Sequence, residues 1–406
     1  MILPPWLGIH ASHITPTSLP TVLSAKFHPC CASICALLFM CGSSRLAWGD
    51  SAWEITPQSR QALDRGLQWL QRNQGREGNW TSRDLGLVSM GLLAFLSDGH
   101  TPGRGRYGLV EKNALDYVLR NARPSGLLNI TGDKRDMYNH GLSTFVLAQA
   151  YGMTSDPRVG PALDRALKVI DRCQCQDGGW QYEARPSDAG HDLSLAVMQA
   201  KALRSAVDSG FEVRPHVIER AIADVREHYF PQGCPQGASE EEQQKHPGRF
   251  TYYKNGGQPS LAMTAAGVVC LQEFAQYDDW RIPKNVEIIE QAVRELSKGN
   301  PNDPPFGNAF SAYTTYYVAQ ALYQVGGEPW KRSYPLLRDR LISSQMHDAN
   351  PENDGGWRDS GDQIGGKEGT LYETAVACFV LAIPNRYLPI LQEGKIDSLR
   401  KQFEKK

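Results

Sequence analysis

Apolar residues recur three and four positions apart in six stretches of the chain. The clearest are A-L-D-R-G-L-Q-W-L-Q from Ala62, A-L-D-Y-V-L-R-N from Ala114 and A-L-D-R-A-L-K-V-I-D from Ala162. Weaker versions begin at Val217, Ile288 and Leu336. This spacing puts the apolar side chains on one stripe of an α-helix. A second stretch follows each, beginning at Leu85, His140, Asp192, Ser260, Ser311 and Leu371. The second set is apolar nearly all round, as expected of helices buried on two sides. It is also rich in Ala, Ser, Thr and Gly, which lets neighbours approach closely. Several members stop at glycine, such as Gly152 and Gly326. Six helix pairs can stack as an open solenoid or close into a ring. An open array would leave the apolar second helices wet on one face. The pattern therefore predicts an all-α protein, a single (α/α)6 toroid of six helix pairs, the second helix of each pair lining the inside.

The links between first and second helices carry a motif. R-G-L-Q-W-L-Q-R-N-Q-G-R-E-G-N-W aligns without gaps on R-A-L-K-V-I-D-R-C-Q-C-Q-D-G-G-W. Gln74, Gly78 and Trp80 thereby match Gln174, Gly178 and Trp180, and Gln345, Gly355 and Trp357 repeat the set across a longer loop. The chemistry of these residues is structural. The glutamine can bond backbone groups left free at a helix end, glycine permits positive φ, and tryptophan covers the turn while its N–H finds a carbonyl.

Arg65-Gly66-x2-Trp69-Leu70-x3-Gln74-x3-Gly78-x-Trp80 resembles the QW repeat of the squalene and oxidosqualene cyclases. Related repeats occur in the β subunits of protein prenyltransferases. The resemblance runs over roughly residues 55–390 and implies the same toroid, with inner helices lining a deep apolar cavity. Triterpene cyclases of the squalene-hopene type carry Asp-x-Asp-Asp at the start of an inner helix. Here Ala189, Gly190, His191 and Asp192 occupy those four positions, so standard triterpene cyclisation is not expected. An imidazolium near ~6.5 is a weaker acid than a carboxyl near ~3.9. The zinc-binding set of the prenyltransferases and the Cys-Gly-Glu-Gln motif of thioester toroids are missing too.

Composition narrows the function classes. A net charge of −1 with no long single-sign run argues against a nucleic-acid partner. The amino-terminal region places Lys26 and His28 before the apolar run C-C-A-S-I-C-A-L-L-F-M-C, with Ala47 and Gly49 after it. That order reads as a Sec-type signal over residues 1–49, and hence an exported protein. The run is too short for a comfortable membrane span. The toroid is assigned to 50–395 and a polar tail to 396–406. Of nine cysteines, four fall in the signal segment. Cys173 and Cys175 lack a second pair and read as loop residues flanking Gln174, so no metal and no cofactor is expected.

Inner-helix amino termini would face the mouth of the ring. The candidate catalytic residues are therefore His191 and Asp192, with Asp136, His140 and Glu373; Asp84 and Glu368 are further polar residues of this rim. Tyr138, Tyr252, Tyr313, Tyr317 and Tyr372 are candidate cavity-lining residues, and Tyr253 and Tyr316 add to the aromatic set. Lys254-Asn-Gly-Gly lacks the spacing of a phosphate loop and reads as a turn into the fourth inner helix. The polar segment Gln232–Arg249 reads as an insertion over the cavity. Two function classes follow. One is an enzyme, acting on an isoprenoid-type apolar ligand or, as a lyase or hydrolase, on an oligosaccharide. The other is a non-catalytic binding scaffold.

Overall fold

A computed structural model describes residues 53–392 apart from 133, 255, 258–259, 297, 299–310 and 360–368. The signal segment, Glu368 and the polar tail lie outside the described residues.

The chain folds as six helix pairs. The outer helices are α1 (Pro57–Asn73), α3 (Gly108–Arg120), α5 (Val159–Arg172), α7 (Pro215–Glu227), α10 (Arg281–Leu296) and α12 (Gly327–Ser344). The inner ones are α2 (Leu85–Ser97), α4 (Asp136–Tyr151), α6 (Leu193–Asp208), α9 (Leu261–Glu273), α11 (Ala312–Val325) and α13 (Thr370–Ala382). Each inner helix packs on the next, and α13 returns to α2 while α12 and α13 touch α1, so the ring closes. This is the (α/α)6 toroid that the apolar periodicity predicts. Outer helices bury one stripe, such as Ala62, Leu63, Gly66, Leu67 and Leu70 of α1, whereas α2 is buried along nearly its whole surface. Among the described residues, the fourth pair departs from helix–link–helix. Its insertion holds a ribbon of β1 (Tyr229–Pro231) and β2 (Gly248–Phe250), with the short helix α8 (Glu240–Lys245) between them.

Three of the described links fasten one outer helix to the next by one geometry. Gln74 donates to Val110 O at 2.8 Å, Gln174 to Val217 O at 2.9 Å and Gln345 to Ala62 O at 2.8 Å. Each tryptophan donates to a carbonyl of its own outer helix: Trp80 to Leu70, Trp180 to Ile170, Trp357 to Leu341. The positive-φ glycine lies against a carbonyl one turn further along the neighbouring helix. Gly78 meets Asn113 O, Gly178 meets Arg220 O and Gly355 meets Arg65 O, so closely that a Cβ would collide. The second link has the same geometry without the motif: Gly126, at φ 90°, sits against Arg165 O. An arginine seven residues beyond that contact then donates to the carbonyl preceding the glycine. The bonds are Arg72 to Asp354 O at 2.5 Å, Arg120 to Glu77 O at 2.7 Å and Arg172 to Ser125 O at 3.0 Å.

Gly178→Ala should therefore cost far more than Gly103→Ala, whose φ of 81° opens onto free space. Chemical denaturation should give about 1 kcal/mol for the second, the backbone term alone, and about 3 kcal/mol or more for the first, which must also displace a helix carbonyl.

Glu111 of α3 is fully buried with neither carboxyl oxygen bonded to a described residue. Burial pushes its pKa from 4.5 to about 8. The folded chain then holds a proton there that the unfolded chain releases, so stability falls as pH rises from about 4.5 to about 8. Glu111→Gln should flatten that fall and raise Tm at pH 9 by about 2 °C or more, with little change at pH 4.5; equal shifts at both pH values would contradict the assignment.

Candidate functional site

The amino termini of α4 and α6 and the loops before α6 and α9 assemble one cluster at the mouth. Asp192 caps α6. Its Oδ1 accepts the Ser194 N–H at 2.9 Å and the Ser194 hydroxyl, and its Oδ2 lies 2.6 Å from Nδ1 of His191. A carboxylate only accepts, so Nδ1 carries a proton, and in the neutral ring Nε2 holds the lone pair. The Asp192 side chain is fully buried while that of His191 is 41% exposed. Nε2 has no hydrogen-bond partner among the described residues.

Tyrosines enclose the imidazole. Tyr182 meets it edge-on at 4.9 Å between ring centroids, and Tyr253 lies at 5.9 Å. The Tyr182 and Tyr252 hydroxyls are 2.7 Å apart, and both interact with Ser194 beside Asp192. Burial, with the Asp192 charge adding to it, raises the pKa of Tyr182 and Tyr252 above the usual phenol range. Both therefore stay protonated as donors. Tyr253 is about half exposed, as is Phe230 on the adjoining ribbon.

Asp136 belongs to the same rim. Its Oδ1 accepts from Asn129 at 2.9 Å and its Oδ2 from the Ala184 N–H at 3.3 Å, while Met137 N–H donates to Tyr182 O at 2.9 Å. These bonds anchor the loop that carries Tyr182. His140 lies elsewhere. Leu128 N–H donates to its Nδ1, and its Nε2 bonds Ala166 O, both at 3.0 Å. Both nitrogens serve the second link, where Leu128 stands in the position of the tryptophan, and burial lowers the His140 pKa to about 4. Glu373 and Tyr372 are buried in the first turn of α13, and Asp84 caps α2.

Tyr138, Tyr313, Tyr317 and Tyr372 are 4% exposed or less. Tyr317 packs edge-on against Tyr313 and Tyr316, and its hydroxyl reaches Met198 Sδ at 3.7 Å. This set, on the inner helices, forms a buried tyrosine core. Tyr252, at the rim, joins the His191 cluster instead. Cys173 and Cys175 are free and buried, and burial raises both thiol pKa values. Tyr182 follows the third link by two residues and was the rim residue least marked in sequence. No group of three or more metal-ligating side chains occurs among the described residues, and no described helix is long and apolar enough to cross a membrane.

No protein-family model matches the chain, and no curated protein matches it in sequence. Solved structures share its architecture. A D-mannose isomerase superposes with a TM-score of 0.52 at 12% identity, covering 82% of this chain and 98% of that one. The chain has an α/α-toroid fold. A type II terpene cyclase from Scytonema, bound to geranylgeranyl dihydroxybenzoate, matches with a TM-score of 0.48 at 15% identity over 82% of this chain and 98% of that one. An α-1,6-mannanase of family GH76 from Salegentibacter, bound to α-1,6-mannotetrose, matches at 0.49 and 10% identity over 83% of this chain and all of that one.

The capping and exposed halves of the dyad should separate in stability. Asp192→Ala removes the α6 cap and should lower stability by about 1 kcal/mol or more. His191→Ala should stay within about 0.5 kcal/mol of the parent. Parallel urea titrations measure both.

Proposed function

We propose that this chain is a carbohydrate-active toroid in which His191, oriented by Asp192, acts as general base on a sugar held at the mouth. One observation carries the reading. A buried carboxylate fixes the imidazole through Nδ1 and leaves a lone pair on Nε2 of a half-exposed ring, the arrangement a general base requires. The surrounding wall suits a sugar. Tyr182, Tyr252 and Tyr253 combine flat apolar faces with protonated or exposed hydroxyls, which match the C–H faces and hydroxyls of a pyranose. The reaction class is proton abstraction from carbon or oxygen of the sugar, as in an isomerisation, epimerisation or elimination. His191 takes the proton on Nε2, and Asp192 stabilises the imidazolium that forms.

A second reading, an isoprenoid-type ligand in a QW-repeat relative of the cyclases, is favoured by the three Gln–Gly–Trp links and by the aromatic ring interior. His191 then stands where the cyclases place their acid. In either case the Lys26–Cys41 pattern supports export. Amino-terminal sequencing of the secreted chain tests that, a mature end near residue 50 being the expected result.

The function test is a panel of mono- and oligosaccharides, with a geranylgeranyl ligand as the competing arm, scored for binding and conversion. One sugar class should be converted, and His191→Asn should lower the rate at least about 100-fold with the fold intact. Conversion unchanged in His191→Asn, or binding of the geranylgeranyl ligand alone, would sink the carbohydrate reading.

A further inference from the structure

The third link breaks the repeat at the place where the dyad stands. The other three described links that carry the glycine contact receive an arginine on the carbonyl preceding the glycine: Arg72, Arg120 and Arg172. On α7 the matching residue, seven beyond Arg220, is Glu227. Three residues earlier, where α1, α3 and α5 have Trp69, Tyr117 and Val169, α7 has Asp224, whose side chain is 2% exposed. Both exchanges put negative charge where α1, α3 and α5 have a cation or a largely apolar side chain. The compensating cation comes from a different element. Lys254 Nζ lies 2.7 Å from Asp224 Oδ1, 3.0 Å from Glu227 Oε2 and 2.7 Å from Asp177 Oδ2.

Asp177 leads to the dyad. Asp177 accepts the Gly190 N–H at 2.9 Å on both oxygens, and Gly190 directly precedes His191. His191 N–H in turn donates to Trp180 O of the link at 2.9 Å. Gly190 and Gly179 lie so close that a Cβ on either would meet the other's backbone. Lys254 itself directly follows Tyr252 and Tyr253, the two aromatic residues of the wall.

We propose that Lys254 is a positioning residue, an ionic latch that holds the tyrosine loop and the Gly190–His191 segment in register so that His191 keeps its bond to Asp192. This rests on the general-base reading only for its consequence in catalysis; the geometry of His191 can be read without turnover. The supporting charges agree. Although burial opposes it, bonding to Asp177 and Asp224 raises the Lys254 pKa, and burial pushes Asp224 up to about 6 despite the lysine.

Imidazole nitrogen NMR on the labelled full chain tests the latch, with the His191 signal assigned by its loss in His191→Asn. The parent and Lys254→Arg should show the Nδ1–H tautomer. Lys254→Met should show mostly the Nε2–H form that an unrestrained imidazole prefers. Lys254→Met strands the buried Asp224, so Lys254→Met/Asp224→Asn, which removes that charge, is the variant designed to remain folded. Asp177→Asn breaks the ionic bond while leaving Lys254 in place, and should shift the tautomer in the same direction. A folded double variant, or a folded Asp177→Asn, that keeps the parent tautomer would overturn the proposal. If these variants lose the tautomer while His191→Asn still converts sugar, the function reading fails and the latch stands.

Discussion

The ring depends on a close contact between a glycine and a helix carbonyl. At Gly78, Gly126, Gly178 and Gly355 the link turns with positive φ and presses its α-carbon against the backbone of the next outer helix. No side chain fits there, because a Cβ would occupy the space of the carbonyl. The contact therefore fixes the distance between successive outer helices from backbone alone. Glutamine, tryptophan and arginine then hold the turn in place with bonds to other carbonyls. Such bonds are individually modest, near 1 kcal/mol each. Their effect lies in repetition: in a closed ring, one misplaced link would misplace all the helices after it.

That division of labour explains what could be read along the chain. The Gln–Gly–Trp links are visible in sequence because two of their three residues are large and distinctive. The second link uses the same glycine contact but has lost both: His140, from the inner helix, supplies the bonds instead. Nothing in the spacing around Gly126 announces it. For the same reason a histidine at an inner-helix start read as a mouth residue, although its nitrogens are directed at backbone. His140 and His191 have the same residue type and similar positions in their pairs. Their partners separate them, and partners belong to tertiary structure.

The site follows the same rule. His191–Asp192 was legible because it falls on an alignment with the cyclase motif and because aspartate is a good cap. Tyr252 and Tyr253 were legible as part of an aromatic set, but not their separation from Tyr138, Tyr313 and Tyr317, which face one another inside the ring. In sequence Lys254 is only part of a turn. Its meaning requires residues 177, 224, 227 and 254 to converge, and no local pattern encodes that convergence.

A ring of repeats also sharpens the meaning of an exception. A single acidic residue on an ordinary helix says little, since surface pairs contribute near zero to 1 kcal/mol. Glu227 and Asp224 differ, because α1, α3 and α5 define what the fold alone asks for at those positions: an arginine and a largely apolar side chain. Asp224 is buried, and a buried carboxylate without a partner is destabilising. The chain keeps it next to Lys254, which reaches in from the loop of the tyrosine wall. Frame and mouth are thus bonded to each other at the third link by a lysine-centred ion cluster that the described residues of the first, second and sixth links lack. The stability of the ring does not demand that arrangement, since each of those links receives an arginine at the same place. The demand must come from the segment the cluster holds, which ends at His191.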